Sequence, residues 1–73
     1  MIKTSFQISV GNRIKELRLK KKLSQRQLAF EAKKDPQSLE RVENGKSCPT
    51  IFYLYEICIA LEISLEEFFK DFD

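Results

Sequence analysis

The sequence contains no histidine, only two cysteines, and few glycines and prolines, and these shortages exclude several classes of protein. Without histidine a mixed Cys/His zinc site cannot exist, and the spacing of Cys48 and Cys58 matches no metal signature. No apolar run approaches the roughly 20 residues that span a bilayer, and residues 1–10 lack the apolar core of a signal peptide. The sequence therefore indicates a cytoplasmic protein with reduced thiols, no metal and no cofactor.

Catalytic signatures are also missing. There is no glycine-rich phosphate loop, and helical geometry brings no pair of carboxylates together in a pocket. A chain of 73 residues suits one small domain, which leaves little room for an enclosed active site. An enzyme is therefore not expected.

What the sequence does contain is charge, and it is unevenly distributed. The net charge is only +2, but residues 1–46 carry 12 Lys/Arg against 5 Asp/Glu, whereas residues 47–73 carry 1 against 6. This asymmetry indicates that the first part of the chain meets an anion, although a merely solvated basic surface is the alternative.

Hydrophobic periodicity predicts the first helix. Val10, Ile14 and Leu17 recur at intervals of four and three residues, which is typical of an amphipathic helix over about residues 9–21. Residues 1–8 are expected to form a loose N-terminal arm, and residues 9–73 a single domain.

Capping signals define the next two helices. Ser24 and Gln27 form a capping box that opens helix 2. Asp35 can cap helix 3, Pro36 suits its first position, and Gly45 can close it in the left-handed conformation. Because only about three residues separate the two helices, the pattern predicts a helix-turn-helix.

Thr50 and Ser64 open two further helices, so an all-α fold of five helices is predicted. Helix 4 is apolar nearly all round. One stripe suits the core and comprises Ile51, Leu54, Cys58 and Leu61. A second stripe, our candidate dimer face, comprises Phe52, Tyr55 and Ile59, to which Phe68, Phe69 or Phe72 could add. The alternative is that this stripe is buried under the arm that carries Ile2, Phe6 and Ile8.

A helical projection of helix 3 separates an inner from an outer face. With Leu39 inward, the side chains of Gln37, Arg41 and Asn44 all lie roughly 135° or more away and form the outer face. Glu43 lies only about 40° from Leu39, so its carboxylate points to the core margin and needs a partner.

Helix 1 offers that partner. Arg18 lies about 40° from Ile14, on the apolar side of the helix, and we predict that Arg18 and Glu43 form a buried ion pair. The alternative is that both long side chains reach water.

The segment "LSQRQLAFEAKKDPQSLERVENGKSCPT", with "GNRIKELR" before it and "ALEISLEEFF" after it, resembles the phage-repressor/Cro-type (XRE) helix-turn-helix family. The resemblance covers about residues 10–69 and implies a lambda-repressor-like DNA-binding domain. It also implies roles for particular residues. Base-reading positions are Gln37, Ser38 and Arg41; phosphate-binding positions are Gln25, Asn44 and Lys46. In this family Gln25 would also brace the recognition helix, and Arg18 and Glu43 match a buried ion pair.

The chemistry of these side chains suits the implied roles. Arginine can contact guanine and glutamine can contact adenine through two hydrogen bonds, each discriminating by about 1–3 kcal/mol. The sequence also departs from the family pattern: Lys22, Lys33 and Glu62 stand at helix ends where glycine is common, so positive φ is expected there. Pro36 has no donor to offer DNA.

The expected function is that of a sequence-specific regulator of transcription that binds double-stranded DNA. It would act as a homodimer on a pseudo-palindromic operator, with recognition helices about 34 Å apart. No small-molecule effector domain is expected in these residues, so control would depend on concentration or on a partner protein. The alternative is a protein-interaction module, such as an antitoxin or adaptor, that uses the apolar stripe of helix 4.

Overall fold

A computed structural model describes residues 3–70 and Phe72, and within these residues all regular structure is helical. The five helices are α1 (Lys3–Lys20), α2 (Gln25–Ala32), α3 (Pro36–Glu43), α4 (Ile51–Leu61) and α5 (Leu65–Phe69). The predicted all-α architecture, with five helices in this order, is confirmed. None of the helices described is both long and apolar enough to cross a membrane.

The first helix begins earlier than the sequence pattern suggested. Residues 3–8, expected to be a loose arm, form the first turns of α1, while Met1 and Ile2 lie outside the described residues. The reason is that the apolar stripe continues backwards by one turn: Phe6 packs against the core four residues before Val10. The arm prediction was therefore wrong for residues 3–8.

Local signals explain where the remaining helices begin. The Ser24 side chain accepts a hydrogen bond from the Gln27 backbone, and the Gln27 side chain accepts one from the Ser24 backbone, completing the capping box. Thr50 and Ser64 cap α4 and α5 by accepting a hydrogen bond from the backbone N–H of Tyr53 and Glu67, respectively. Asp35 occupies the N-cap of α3 but makes no capping hydrogen bond through its side chain, so the start of α3 rests on Pro36 and on tertiary contacts.

Positive backbone angles occur at the predicted non-glycine positions. Lys22, Lys33 and Glu62 have φ of 60°, 58° and 63°, in the left-handed region, and Gly45 has φ of 73°. A side chain in this conformation costs roughly 1–2 kcal/mol relative to the right-handed region. Lys33 lies in the turn of the helix-turn-helix itself.

The core lies where α1, α2, α3 and α4 meet, and α5 closes one end. Its buried apolar residues are Val10, Ile14, Leu17, Leu28, Ala29, Ala32, Leu39, Val42, Leu54, Ile57, Cys58, Leu61 and Phe68. Two expectations for the C-terminal helices were wrong: Ile51 is 68% exposed rather than in the core, and Phe68 is fully buried rather than part of an outer face. Ile57 takes the inner position instead, because it lies between Leu54 and Leu61 on the same side of α4.

A glycine lets α1 approach α3 closely. A methyl group on Gly11 would lie 2.6 Å from the carbonyl oxygen of Glu43 and closer still to that of Val42. Because both of these are backbone atoms, they cannot move aside without shifting α3. Gly11 therefore sets the distance between the two helices.

The C-terminal segment is held by aromatic and polar contacts. The rings of Phe68, Phe69 and Phe72 lie 5.0–6.3 Å apart, and Phe72 also meets Phe6 of α1 at 5.8 Å. Arg13 of α1 donates to the backbone carbonyl of Phe68 at 3.0 Å. These contacts close the fold around the N-terminal half of α1.

Candidate nucleic-acid interface

The third helix carries a polar face that points away from the core. Leu39 and Val42 are buried, whereas Gln37, Arg41 and Asn44 are exposed. Within residues 3–70 the side chains of these three residues form no hydrogen bond or ion pair with another side chain, unlike those of Ser38 and Glu43. Their donors and acceptors are thus free for an external ligand.

A buried ion pair fixes α3 to α1. The Arg18 Nε lies 2.8 Å from Glu43 Oε2, and its Nη2 lies 3.1 Å from Oε1, so the contact is bidentate. The remaining Arg18 Nη1 donates to the carbonyl oxygen of Leu23 at 2.8 Å. The side chains are 9% and 1% exposed, and the structure brings the two residues together as the projection indicated.

Gln25, at the first turn of α2, joins this pair. Its Nε2 donates to Glu43 Oε1 at 3.0 Å, and its side chain is half-buried. An amide nitrogen has two N–H groups, so one is left to point elsewhere. The carboxylate of Glu43 therefore orients Gln25 while it neutralises Arg18.

Ser38 stands apart from the other implied base-reading residues. It is half-buried, and its hydroxyl lies 3.0 Å from that of Tyr53 on α4. The ammonium of Lys34 lies 4.7 Å from the centre of the Tyr53 ring and forms an ion pair with Glu56. Tyr53 and Lys34 were not predicted, because neither belongs to a motif or to a helix face that the sequence pattern singles out.

The end of α3 is also supported by the beginning of α1. Gln7 Nε2 donates to the carbonyl oxygen of Gly45 at 3.3 Å. Asn44 and Lys46, on either side of this glycine, have exposed side chains. Gln7 was not predicted to have a role, because residues 1–8 were expected to form a loose arm.

The outer face of α4 is apolar and exposed. Phe52, Tyr55 and Ile59 are 64%, 48% and 57% exposed, and Ile51 extends the same surface. The alternative, in which the N-terminal residues cover this stripe, does not hold for those described: Phe6 packs against Phe72 instead. Ile8 lies beside Gly45 and Ile2 lies outside the described residues.

The two cysteines differ in environment. Cys48 is exposed in the loop before α4, whereas Cys58 is buried in the core, and both are free thiols. Burial raises the pKa of the Cys58 thiol from 9.0 to about 11, because a thiolate would lack solvation there.

Elsewhere, the hydrogen bond and charge of Lys21 lower the pKa of Glu62. Among the described residues no Cys, Asp and Glu cluster could hold a metal ion.

The fold and the face together define a class. Two short helices joined by a tight turn, with the second presenting polar side chains outward, form a helix-turn-helix inside an all-α domain. The helix-turn-helix family model HTH_3 matches residues 14–68. The chain belongs to this family, the XRE/Cro-type DNA-binding regulators of transcription.

Solved structures show the same likeness. The chain is similar to an HTH_3 family transcriptional regulator from Vibrio cholerae (31% identity, TM-score 0.90), covering 96% of this chain and 39% of that one. It therefore spans about two fifths of that regulator. It is also similar to the restriction-modification controller protein C.AhdI from Aeromonas hydrophila (33% identity, TM-score 0.83), covering 86% of this chain and 96% of that one. A comparison with curated proteins gave no match.

A third similar structure is that of the restriction-modification controller protein C.Esp1396I. It shares 30% identity and a TM-score of 0.85 with this chain, covering 90% of this chain and 87% of the controller. That protein was solved as a tetramer in complex with its natural 35 base-pair operator.

Proposed function

We propose that this protein regulates transcription by inserting α3 into the major groove of a specific double-stranded DNA sequence. The observation that carries the proposal is the free polar face of α3, formed by Gln37, Arg41 and Asn44 on a helix that is fixed from behind. A helix fits the major groove, where each base pair presents a distinct pattern of donors and acceptors.

Two side chains on this face suit base reading. Arg41 can donate to guanine O6 and N7, and Gln37 can pair with adenine N6 and N7. Ser38 would contribute from the edge of the face, where Tyr53 holds its hydroxyl. Glu40 is exposed beside them and could accept only from a donor such as cytosine N4.

Three further residues suit contacts with phosphates. Gln25 keeps one N–H free beyond its bond to Glu43, and Asn44 and Lys46 are exposed at the end of α3. Such contacts set the register of the helix on the duplex but carry no sequence information themselves. They also make binding depend on salt, because each neutralised phosphate releases counterions.

We propose a homodimer that uses the α4 face of Phe52, Tyr55 and Ile59. An exposed apolar surface of this kind is typical of a protein contact. In a symmetric dimer the two α3 helices would read half-sites about 34 Å apart on one side of the duplex. The likeness to two restriction-modification controllers makes a controller the subclass we favour, with a phage-type repressor as the alternative.

The proposal is tested by selection of binding sites from random DNA duplexes, followed by a footprint on the selected sequence. We expect one recurring motif with two half-sites one helical turn apart. Enrichment of no motif would contradict sequence-specific binding.

The role of Arg41 is tested separately by comparing Arg41→Ala with Arg26→Ala. Both changes remove one exposed positive charge, but only Arg41 lies on the outer face of α3. We expect Arg41→Ala to lose discrimination at one base pair, by about 1–3 kcal/mol, whereas Arg26→Ala should change affinity equally for all sequences. Equal behaviour of the two variants would contradict base reading by Arg41.

The dimer face is tested by Phe52→Glu, with Phe30→Glu as a matched control. Phe30 is an aromatic residue of α2 that is 84% exposed, so the same charge is introduced away from α4. Sedimentation should show a monomer for Phe52→Glu and an unchanged assembly for Phe30→Glu. A dimer that survives Phe52→Glu would place the interface elsewhere.

The exposed α4 face also supports a second candidate, a module that binds another protein. In that case the outer face of α3 is only solvated. Salt dependence separates the two functions: DNA binding through several phosphates should weaken steeply between about 50 and 200 mM salt, whereas an apolar protein contact should hardly change.

A further inference from the structure

We propose that Tyr53 of α4 is a specificity-determining positioning residue, which sets the direction in which the Ser38 hydroxyl faces the DNA. The inference rests on the proposed function, because it assumes that α3 lies in the major groove. Tyr53 lies on a different helix from Ser38, 15 positions further along the chain.

The geometry places Ser38 where it can meet both a base and Tyr53. Ser38 lies about 60° from Arg41 around the helix axis and is its neighbour one turn earlier. It is half-buried, so one side of its hydroxyl faces α4 and the other remains open. On the α4 side its Oγ lies 3.0 Å from the Tyr53 Oη.

A serine hydroxyl alone carries little sequence information. It has one donor and two acceptor lone pairs and rotates to suit its partner, so it can accept a hydrogen bond from one base or donate one to another. A second hydroxyl at hydrogen-bond distance removes this freedom. If Tyr53 donates to Ser38, the Ser38 proton points away from Tyr53 and towards the groove.

Lys34 favours this direction. Its ammonium lies 4.7 Å from the centre of the Tyr53 ring, and Glu56 holds it there through an ion pair. A cation beside a phenol draws electron density from the oxygen and makes its O–H a stronger donor. In the proposed arrangement Tyr53 donates to Ser38, and Ser38 offers its own proton outward to a base acceptor such as guanine O6, thymine O4 or a purine N7.

The orientation of Tyr53 is itself well fixed. The ring is partly buried and packs against the core, with Lys34 over its face and its hydroxyl on Ser38. Lys34 follows Lys33 in the turn between α2 and α3, so the same contacts tie α4 to the start of the recognition helix. In this proposal the Tyr53 side chain therefore sets which hydrogen bond Ser38 can offer at the edge of the outer face of α3.

The test is binding-site selection with Tyr53→Phe, which removes the hydroxyl but keeps the ring and its contact with Lys34. Ser5→Ala is the control, because it also removes one hydroxyl, from an exposed side chain at the start of α1. We expect Tyr53→Phe to reduce the preference at one base pair of each half-site by roughly threefold to tenfold. Ser5→Ala should select the wild-type motif.

Two further variants separate positioning from a structural effect. Ser38→Ala should relax the same base pair, and the double variant of Ser38→Ala with Tyr53→Phe should be no worse than Ser38→Ala alone, because the two hydroxyls act as a unit. Binding to random DNA should be unchanged in all three. Uniform loss of affinity across sequences in Tyr53→Phe would show a merely structural role and overturn the inference.

The remaining outcomes are distinguishable. If the wild-type protein selects a motif and Tyr53→Phe selects the same motif with the same strength, the inference fails and the proposed function stands. If the wild-type protein selects no motif, both fail together.

Discussion

The substitution Glu43→Ala should be among the most damaging single changes in this domain. It leaves the Arg18 guanidinium buried, with a 9% exposed side chain and no counter-ion, and removes the partner of Gln25 as well. Breaking a buried pair from one side typically costs about 3–5 kcal/mol. A domain of 73 residues has a free energy of unfolding of only about 4–11 kcal/mol at 0.05–0.15 kcal/mol per residue. Loss of the Glu43 side chain should therefore remove a large part of the free energy of unfolding.

The assay is urea denaturation followed by circular dichroism, which reports the helices directly. Glu16→Ala is the matched control, because Glu16 also pairs with an arginine of α1, but its side chain is 66% exposed. The control should lose at most about 1 kcal/mol, the usual size of a surface pair. In a thermal scan Glu43→Ala should lower Tm by about 12 °C or more.

The double variant of Arg18→Met and Glu43→Leu distinguishes two explanations. If the cost of Glu43→Ala arises from an unpaired buried charge, replacing both partners with apolar side chains should restore most of the stability. A loss below about 1 kcal/mol for Glu43→Ala would refute the reasoning, because it would show that Arg18 reaches water without difficulty.

Three further expectations concern stability and reactivity. Gly11→Ala should destabilise the fold by about 1–3 kcal/mol in urea denaturation, although alanine favours helices, because the added methyl group meets backbone atoms of α3 at 2.6 Å or less; an unchanged midpoint would contradict this close approach. Lys33→Gly should stabilise the fold by about 1 kcal/mol, because glycine adopts a φ of 58° without strain. Lys15→Gly, inside α1, should destabilise the fold by a similar amount, and a change of the same sign in both variants would argue against backbone strain at Lys33. Ellman's reagent at pH 8 should titrate Cys48 but not Cys58 in the folded protein, and rapid reaction of both thiols would contradict burial of Cys58. The free energy of unfolding should fall as pH rises from about 9 to about 11, because the Cys58 thiol ionises at lower pH in the unfolded chain than in the folded protein.

The two helices of the helix-turn-helix could be predicted from the sequence, because the signals that begin and end them are local. Three signals each act within one or two helical turns: the cap at Ser24, the proline that opens α3 and the glycine after its end. The structure shows α2 beginning, and α3 beginning and ending, at or beside these residues. The inner face of α3 also followed from simple projection, because an eight-residue helix with only Leu39 and Val42 as apolar residues has one way to face the core.

The features that could not be predicted depend on packing between helices. In α4 nearly every residue is apolar, so periodicity could not decide that Ile57 is buried and Ile51 exposed. Gly11 did offer a signal, since a glycine inside a helical pattern often marks a close approach of another backbone. Phe6 offered another, since it continues the stripe of Val10 by one turn.

The outer face of α3 depends on these contacts between helices. An isolated helix of eight residues is unstable in water, because nucleation costs more than so few hydrogen bonds return. α3 is therefore helical because tertiary contacts hold it: Leu39 and Val42 are buried in the core. Polar contacts from α1 and α4 add to this, through Arg18, Gln7 and Tyr53.

It follows that stability and DNA binding are linked in this domain. A ligand that binds only the folded state at 100 times its Kd adds about 2.7 kcal/mol, which is close to the cost of losing a single support of α3. Saturating operator DNA should therefore refold variants such as Glu43→Ala that are partly unfolded on their own. Variants of Arg41 should lower operator affinity and leave the folded fraction unchanged, because within residues 3–70 the Arg41 side chain forms no hydrogen bond or ion pair and its proposed role is to contact DNA. Measuring the folded fraction and the operator affinity together thus separates the residues that build the face from those that read DNA.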